Sequence, residues 1–421
     1  MRREQARCDA MRYPISCAHW RVEGVTAMVQ GDPQLDALNH AALAPLVQRA
    51  LDRERAEPVD WRWEPVDYHI YLPERTLVRF SGTAVVDDEV VPWSMVLKRT
   101  RPPQANRSAD DGWRHEALAY RSGLLADLPH GLTTPRVFDV VEDADGATWL
   151  WLEDVADCFG GMWPLAQYRR TARHLGRFNG TYLGARPLPT FPWLAPRWAD
   201  HQGEPARIPA ALPEIADLVR DGRVQRAFPL PITDCATRLL RDVPTFIALL
   251  DRLPQTLCHH DASQANLIAR RRAGAAIETV AIDWESIGHG TVGADIATLV
   301  FGTMRRGTVL AEWAADLDQE VFAGYLAGLR DAGWQGEPAV ARLGYTATVA
   351  LRGSLLTWTL RALTDDAALA RIASAVQEPA ERAARRFVLM SLYLLACADE
   401  ARTLARQYEP TPGPVGEQPS W

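Results

Sequence analysis

Apolar residues recur along this chain in two rhythms, and the switch between them outlines its architecture. From Gln34 to Asp52 they fall at Leu35, Leu38, Ala42, Leu46 and Leu51, which line one side of a helix. Strand-like runs follow at Thr76–Val86 and Pro92–Arg99. The segment Asp110–Tyr120 has an acidic start and helical spacing. Arg136–Glu142 and Thr148–Leu152 complete a small antiparallel sheet.

Beyond residue 154 the helical rhythm dominates. Leu165–Leu183 carries Tyr168, Ala172, Leu175, Phe178 and Tyr182 on one face, which predicts a core helix. Leu188–Trp198 is rich in Pro and Trp and reads as an irregular loop whose aromatics pack rather than touch substrate. A helix over Ala236–Leu250 leads to two short apolar runs, Leu267–Ala269 and Thr279–Ile282, the arms of a hairpin turning at Arg270–Gly274. Helical patterns then run over Leu310–Ala332, Ala339–Leu363 and Pro379–Arg406, with no internal repeat. The pattern predicts an α+β protein of two lobes. A small sheet-and-helix lobe spans 31–154, and a larger helical lobe spans 155–408. Residues 1–30 read as an irregular extension and 409–421 as a flexible tail. Residues 1–27 lack periodicity, and Met28 opens a more regular sequence, so an overlong assigned start is open.

Composition narrows the classes. The chain has 421 residues, 47% hydrophobic and 24% charged, the profile of a globular protein too long for one small domain. Its net charge of −7, with no basic run longer than Arg270-Arg271-Arg272, argues against nucleic acid as a partner. The 6 cysteines stand singly, which suggests reduced thiols and a cytoplasmic location. No stretch has the length of a membrane span and the start lacks a secretory apolar core, so no membrane role is expected.

The candidate chemistry gathers at the hairpin. His259-His260-Asp261 precedes its first arm, Asn266 stands at the start of that arm, and Asp283 ends the second in Ile282-Asp283-Trp284-Glu285. Each residue alone is an ordinary turn residue. Together they supply a carboxylate that orients a hydroxyl and two oxygen ligands for Mg²⁺, the requirement of phosphoryl transfer of the kinase type. Upstream, the 46 Lys plus Arg include a single lysine, Lys98, at the end of a strand-like run. A compact ammonium there suits phosphate oxygens, and an Arg fork is not its equivalent. Glu116 on the following helix is its candidate partner; a solvated helix-face glutamate is the alternative.

With these residues in view, the chain resembles the aminoglycoside phosphotransferase and choline kinase superfamily. Leu257–Asn266 looks like that family's catalytic loop, and Ile282–Glu285 like its metal-binding motif. The resemblance implies a bilobal protein-kinase-like fold, with Asp261 as catalytic base and Asn266 and Asp283 as Mg²⁺ ligands. It implies Lys98 as phosphate anchor and His259 as a brace. Val292–Ala297 looks like the family's helix start, where Asp295 steadies the loop or simply caps the helix. Leu152–Val155 falls at the hinge of such folds, which makes Glu153 and Val155 candidates for the nucleotide contact; a buried strand end explains them equally. One departure stands out: the phosphate loop, Tyr71–Thr76, has no glycine before Gly82.

These observations predict an ATP- or GTP-dependent kinase acting on a hydroxyl of a small molecule. The acidic helix with Glu312, Asp316, Asp318 and Glu320 would suit a cationic acceptor, but an exposed helix face is the preferred reading. One rival is a protein kinase, against which stand His260 in place of Arg and the lack of an Ala-Pro-Glu-like segment. The other is a nucleotide-binding pseudokinase acting as an interaction module. The residues leave the acceptor, the nucleotide and the oligomeric state open.

Overall fold

The computed structural model describes residues 32–66, 74–102, 111–194, 213–229, 231–272, 274, 276–375 and 378–408. Half of the expected phosphate loop, 71–73, lies outside these residues, as do the N-terminal extension, the tail and the end of the Pro- and Trp-rich passage. The described chain falls into two compact units divided between Arg99 and Thr100. It is an α+β protein, with antiparallel strands dominating its N-terminal part and helices its C-terminal part.

The first unit is a helix on a sheet. Helix α1 (His40–Leu51) begins where the Asn39 side chain accepts from the Ala42 amide at 3.1 Å. That cap breaks the single helix expected over 34–52 into a short turn at Pro33–Asp36 and α1. Strands β1 (Glu57–Pro65), β2 (Arg75–Val86) and β3 (Glu89–Thr100) follow in antiparallel order. The sequence pattern does not show β1, because six of its nine residues are exposed and its charged residues hide the alternation. The β2–β3 turn is Asp87-Asp88 with φ of 49° and 68°, the doubly left-handed form that matches strand twist. Leu43, Leu46, Val47, Val78, Phe80, Met95 and Leu97 form the buried core. Arg99 is buried with them, paired to Asp32 and donating to Gln34 at 2.8 Å. Alternation along β3 puts Lys98 on the face opposite Met95 and Leu97, half-buried.

In the second unit, helix α2 (His115–Arg121) carries Glu116. Strand β4 is Leu132–Thr133, and β5 (Val137–Glu142) pairs antiparallel with β6 (Thr148–Glu153). Helix α3 (Leu165–Gly180) and helix α4 (Ile232–Leu250) lead to β7 (Gln255–Cys258), β8 (Leu267–Arg271), β9 (Ile277–Ala281) and β10 (Gly288–Thr291). β8 and β9 form the expected hairpin, with β4 parallel to β9, and β10 pairs with β7. Helices α5 (Ala294–Arg306), α6 (Ala314–Asp331), α7 (Pro338–Ala350), α8 (Ser354–Thr364), α9 (Asp366–Ala375) and α10 (Ala380–Gln407) complete it. The helix expected over 339–363 is two, interrupted around Gly353.

Helices α3 and α6 cross with their backbones in contact. A Cβ added to Gly324 or Gly328 would strike the carbonyl oxygen of Arg169 or Arg173, and one on Gly176 that of Tyr325. Only glycine permits this approach. Asp331 clasps the crossing, accepting from Arg173 at 2.6 Å and Arg177 at 2.8 Å. These guanidiniums hold the Asp331 carboxyl down at about 2.

Candidate active site

The β8–β9 register sets the geometry. Leu267 faces Ala281, so Asn266 faces Ile282, whose amide donates to the Asn266 carbonyl at 2.9 Å. Asp283 follows at once, with φ of 61°. Asn266 Nδ2 donates to Asp261 Oδ2 at 2.7 Å and to the Asp261 carbonyl at 2.9 Å. Its donor end being spent, Asn266 Oδ1 is the end left to face a cation. The hairpin thus brings Asp261, Asn266 and Asp283 together.

His259 ties the two halves of this site. Its Nδ1 accepts from the Asp261 amide at 3.2 Å, which makes Nε2 the protonated nitrogen that donates to the Ile282 carbonyl at 2.9 Å. The ring lies against Trp284, with centroids 4.4 Å apart. Burial raises the Asp261 carboxyl above its ordinary value, and the nearby Asp283 carboxylate adds to the shift. His259, Arg306 and Arg352 oppose it. Two converging carboxylates and an amide oxygen are hard oxygen donors, a set that fits a divalent cation such as Mg²⁺.

Behind the loop stands Asp295, fully buried. Its Oδ1 accepts from the His260 amide at 2.8 Å, and its Oδ2 from the His259 amide at 3.1 Å and Asn179 Nδ2 at 3.0 Å. It lies in the first turn of α5, past the Gly293 cap position, so its carboxylate steadies the loop and caps no helix. His260 itself sits at φ 64°, a conformation that costs a non-glycine residue about 1–2 kcal/mol. The same loop rests on one face of α5. Thr298 Oγ1 donates to the His260 carbonyl at 3.2 Å, and a Cβ on Gly302 would lie 2.9 Å from Ser263 Cβ. Cys258, His260 and Asp295 also converge closely enough to suggest a metal site. Their ligand atoms are otherwise engaged: His260 Nε2 bonds the His289 carbonyl at 2.9 Å, Asp295 accepts three N–H groups, and burial pushes the Cys258 thiol far up.

The other predicted residues lie as follows. Glu116 is buried, and its Oε1 accepts from the Trp284 amide at 3.2 Å, directly after Asp283. Lys98 lies on β3 of the first unit. Glu153 Oε2 accepts from the Arg136 amide at 3.1 Å, and its carboxylate takes Arg270 at 2.8 Å. Val155 is half-buried in the segment after β6. Three of the four acids expected here are paired: Arg342 holds Asp318 at 2.8 Å, Arg169 meets Glu320 at 3.3 Å, and Arg385 meets Glu312, just before α6, at 3.2 Å, while Asp316 is exposed. Sequence reasoning missed Asn179 and Tyr325. Asn179 offered one signal, a polar residue next to Phe178 on the apolar side of a core helix.

The model of the phosphotransferase enzyme family matches residues 81–342, and the chain belongs to that family. Among solved structures, an aminoglycoside phosphotransferase from Alicyclobacillus acidocaldarius is 16% identical, with 77% of this chain and 90% of that chain covered and a TM-score of 0.46. A choline kinase from Cryptosporidium parvum is 12% identical over 82% of this chain and 90% of that one, with a TM-score of 0.41. An aminoglycoside phosphotransferase from Streptomyces rimosus, in complex with ADP and streptomycin, is 18% identical over 69% and 92%, with a TM-score of 0.39. No curated protein matches the chain.

Proposed function

We propose that the protein transfers the terminal phosphoryl group of ATP or GTP to a hydroxyl of a small molecule, in the presence of Mg²⁺. The carrying observation is the convergence of Asp261, Asn266 and Asp283 on one hairpin, with Asn266 bonded directly to the Asp261 carboxylate at 2.7 Å. Asp261 orients the acceptor hydroxyl and takes its proton as oxygen attacks the terminal phosphorus and the bond to the leaving diphosphate breaks. Asn266 Oδ1 and the Asp283 carboxylate hold the metal, which when bound neutralises phosphate charge. Glu116 holds the backbone after Asp283 and so steadies that ligand. Lys98 is the proposed phosphate anchor, and Glu153 and Val155 mark the proposed nucleotide hinge.

Streptomycin and choline are named with similar proteins. Ion pairs engage Glu312, Asp318 and Glu320, which weakens the argument for a cationic acceptor and leaves it to the exposed Asp316. A cytoplasmic location fits a nucleotide-dependent enzyme, and no helix among the described residues is long and apolar enough to cross a membrane.

Asp261→Asn tests the reading. Nucleotide Kd should stay within a few-fold while transfer falls by about 10²-fold or more, the mark of a group acting in the transition state. Wild-type-like transfer by the variant refutes the base assignment. A wild-type protein that binds nucleotide but phosphorylates nothing in a broad panel of hydroxyl compounds is instead a pseudokinase.

A further inference from the structure

The catalytic loop is held from behind by a chain of hydrogen bonds that runs in one direction from Gly293 to Asp295, where it meets the donating amides of the loop. The Gly293 amide donates to the Tyr325 hydroxyl oxygen at 2.9 Å. The Tyr325 hydroxyl in turn donates to Asn179 Oδ1 at 2.8 Å. That fixes the Asn179 amide, whose Nδ2 donates to the Leu257 carbonyl at 2.8 Å and to Asp295 Oδ2 at 3.0 Å. Asp295 then presents its remaining acceptor capacity to the amides of His259 and His260, beside Asp261. Asn179, Asp295 and Tyr325 are all 0% exposed, so water cannot replace a missing member.

Tyr325 reaches this chain only because α3 and α6 cross without side chains between them at Gly176, Gly324 and Gly328. Gly176 lies against the carbonyl of Tyr325 itself, and Asn179 is almost one turn further along α3. Packing alone would be served by phenylalanine at 325. The hydroxyl, however, is used on both sides, once as acceptor and once as donor. At the far end of the chain His260 is held at positive φ, a backbone state that relaxes if the Asp295 carboxylate turns.

We propose that Tyr325 and Asn179 are positioning residues for Asp261, acting through Asp295, and that the α3–α6 crossing thereby sets the turnover of the site. This rests on the phosphotransferase reading for its kinetic part and on the hydrogen-bond chain alone for its structural part.

The experiment is Tyr325→Phe in the full chain, with two readouts. Amide exchange by mass spectrometry compares the peptide covering 257–263 with the distant helix α10. Steady-state kinetics on an accepted hydroxyl compound separates kcat from KM. Exchange over 257–263 should accelerate tenfold or more while α10 is unchanged. In parallel, kcat should fall tenfold or more with nucleotide KM within twofold. Equal acceleration in both peptides would show general loosening and overturn the proposal, as would unchanged exchange at the loop or unchanged kcat. If wild-type protein transfers phosphate to nothing, the phosphotransferase reading fails, and the exchange comparison by itself decides whether Tyr325 holds the loop. Asn179→Ser, read in the same two ways, serves if Tyr325→Phe does not fold.

Discussion

Replacing Asp295 by Asn changes one atom's chemistry and confronts it with three donors. The carboxylate accepts from His260 N at 2.8 Å, His259 N at 3.1 Å and Asn179 Nδ2 at 3.0 Å. An asparagine has one acceptor oxygen. Its better orientation keeps the His259 and Asn179 bonds and turns an NH₂ group toward the His260 amide. One buried N–H is then unsatisfied, at about 1–3 kcal/mol, and the two surviving bonds lose their charge assistance, roughly 1 kcal/mol more. The sum is about 2–4 kcal/mol, which for a unit of this size lowers Tm by roughly 3–6 °C. Calorimetry of the full chain measures it, with the second unit's transition followed separately because two units need not melt together. Transfer should fall along with it, since His260 is freed from its left-handed backbone. A variant melting within 1 °C of wild type would show that the carboxylate carries no structural load, and the account of the loop would be wrong.

Three further outcomes follow from the same geometry. Asp283→Ala should abolish Mg²⁺-dependent nucleotide turnover while the chain still melts cooperatively, because a residue at a strand end contributes little packing; near-wild-type turnover would reduce Asp283 to a turn residue. Lys98→Arg should lower turnover although charge is kept, since a planar fork cannot replace a point donor on phosphate oxygens; full activity would refute the anchor role. His174 is held neutral, its pKa pushed down to about 3, by burial first and then by Arg177 and Arg170. The unfolded chain therefore takes up a proton near pH 6.5 that the folded chain refuses, and stability should fall as pH drops from 6.5 toward 3. In His174→Gln that decline should be shallower in acid-titration melts, and an identical slope would refute the assignment.

Local spacing made the hairpin legible. Asp261, Asn266 and Asp283 lie within one short stretch, and two apolar arms with a basic turn fix their register before any long-range packing is known. Elements judged on periodicity alone came out less well. β1 is too exposed for alternation to show, and Asn39 and Gly353 interrupt helices that apolar spacing reads as continuous. The acidic character of α6 pointed to a solvated face, yet Asp318 is half-buried with Arg342, which comes from another helix. The pairing of Tyr325 with Asn179 was hidden for the same reason: it joins positions 146 residues apart, and the only local sign is a polar residue beside Phe178 on an apolar helix face.

The glycine crossing of α3 and α6 also bears on how the chain is made. Synthesis runs from the N-terminus, and the hairpin with Asp261, Asn266 and Asp283 leaves the ribosome well before Gly324, Tyr325 and Gly328. Until α6 has emerged, α3 lacks the helix it crosses and Asn179 Oδ1 lacks the Tyr325 hydroxyl that donates to it. The hairpin can pair its strands early, from local contacts alone. Its loop gains the Tyr325 end of the hydrogen-bond chain only when a much later segment arrives, so on the reading proposed above a chain arrested before α6 carries Asp261, Asn266 and Asp283 on a loop that is only partly held.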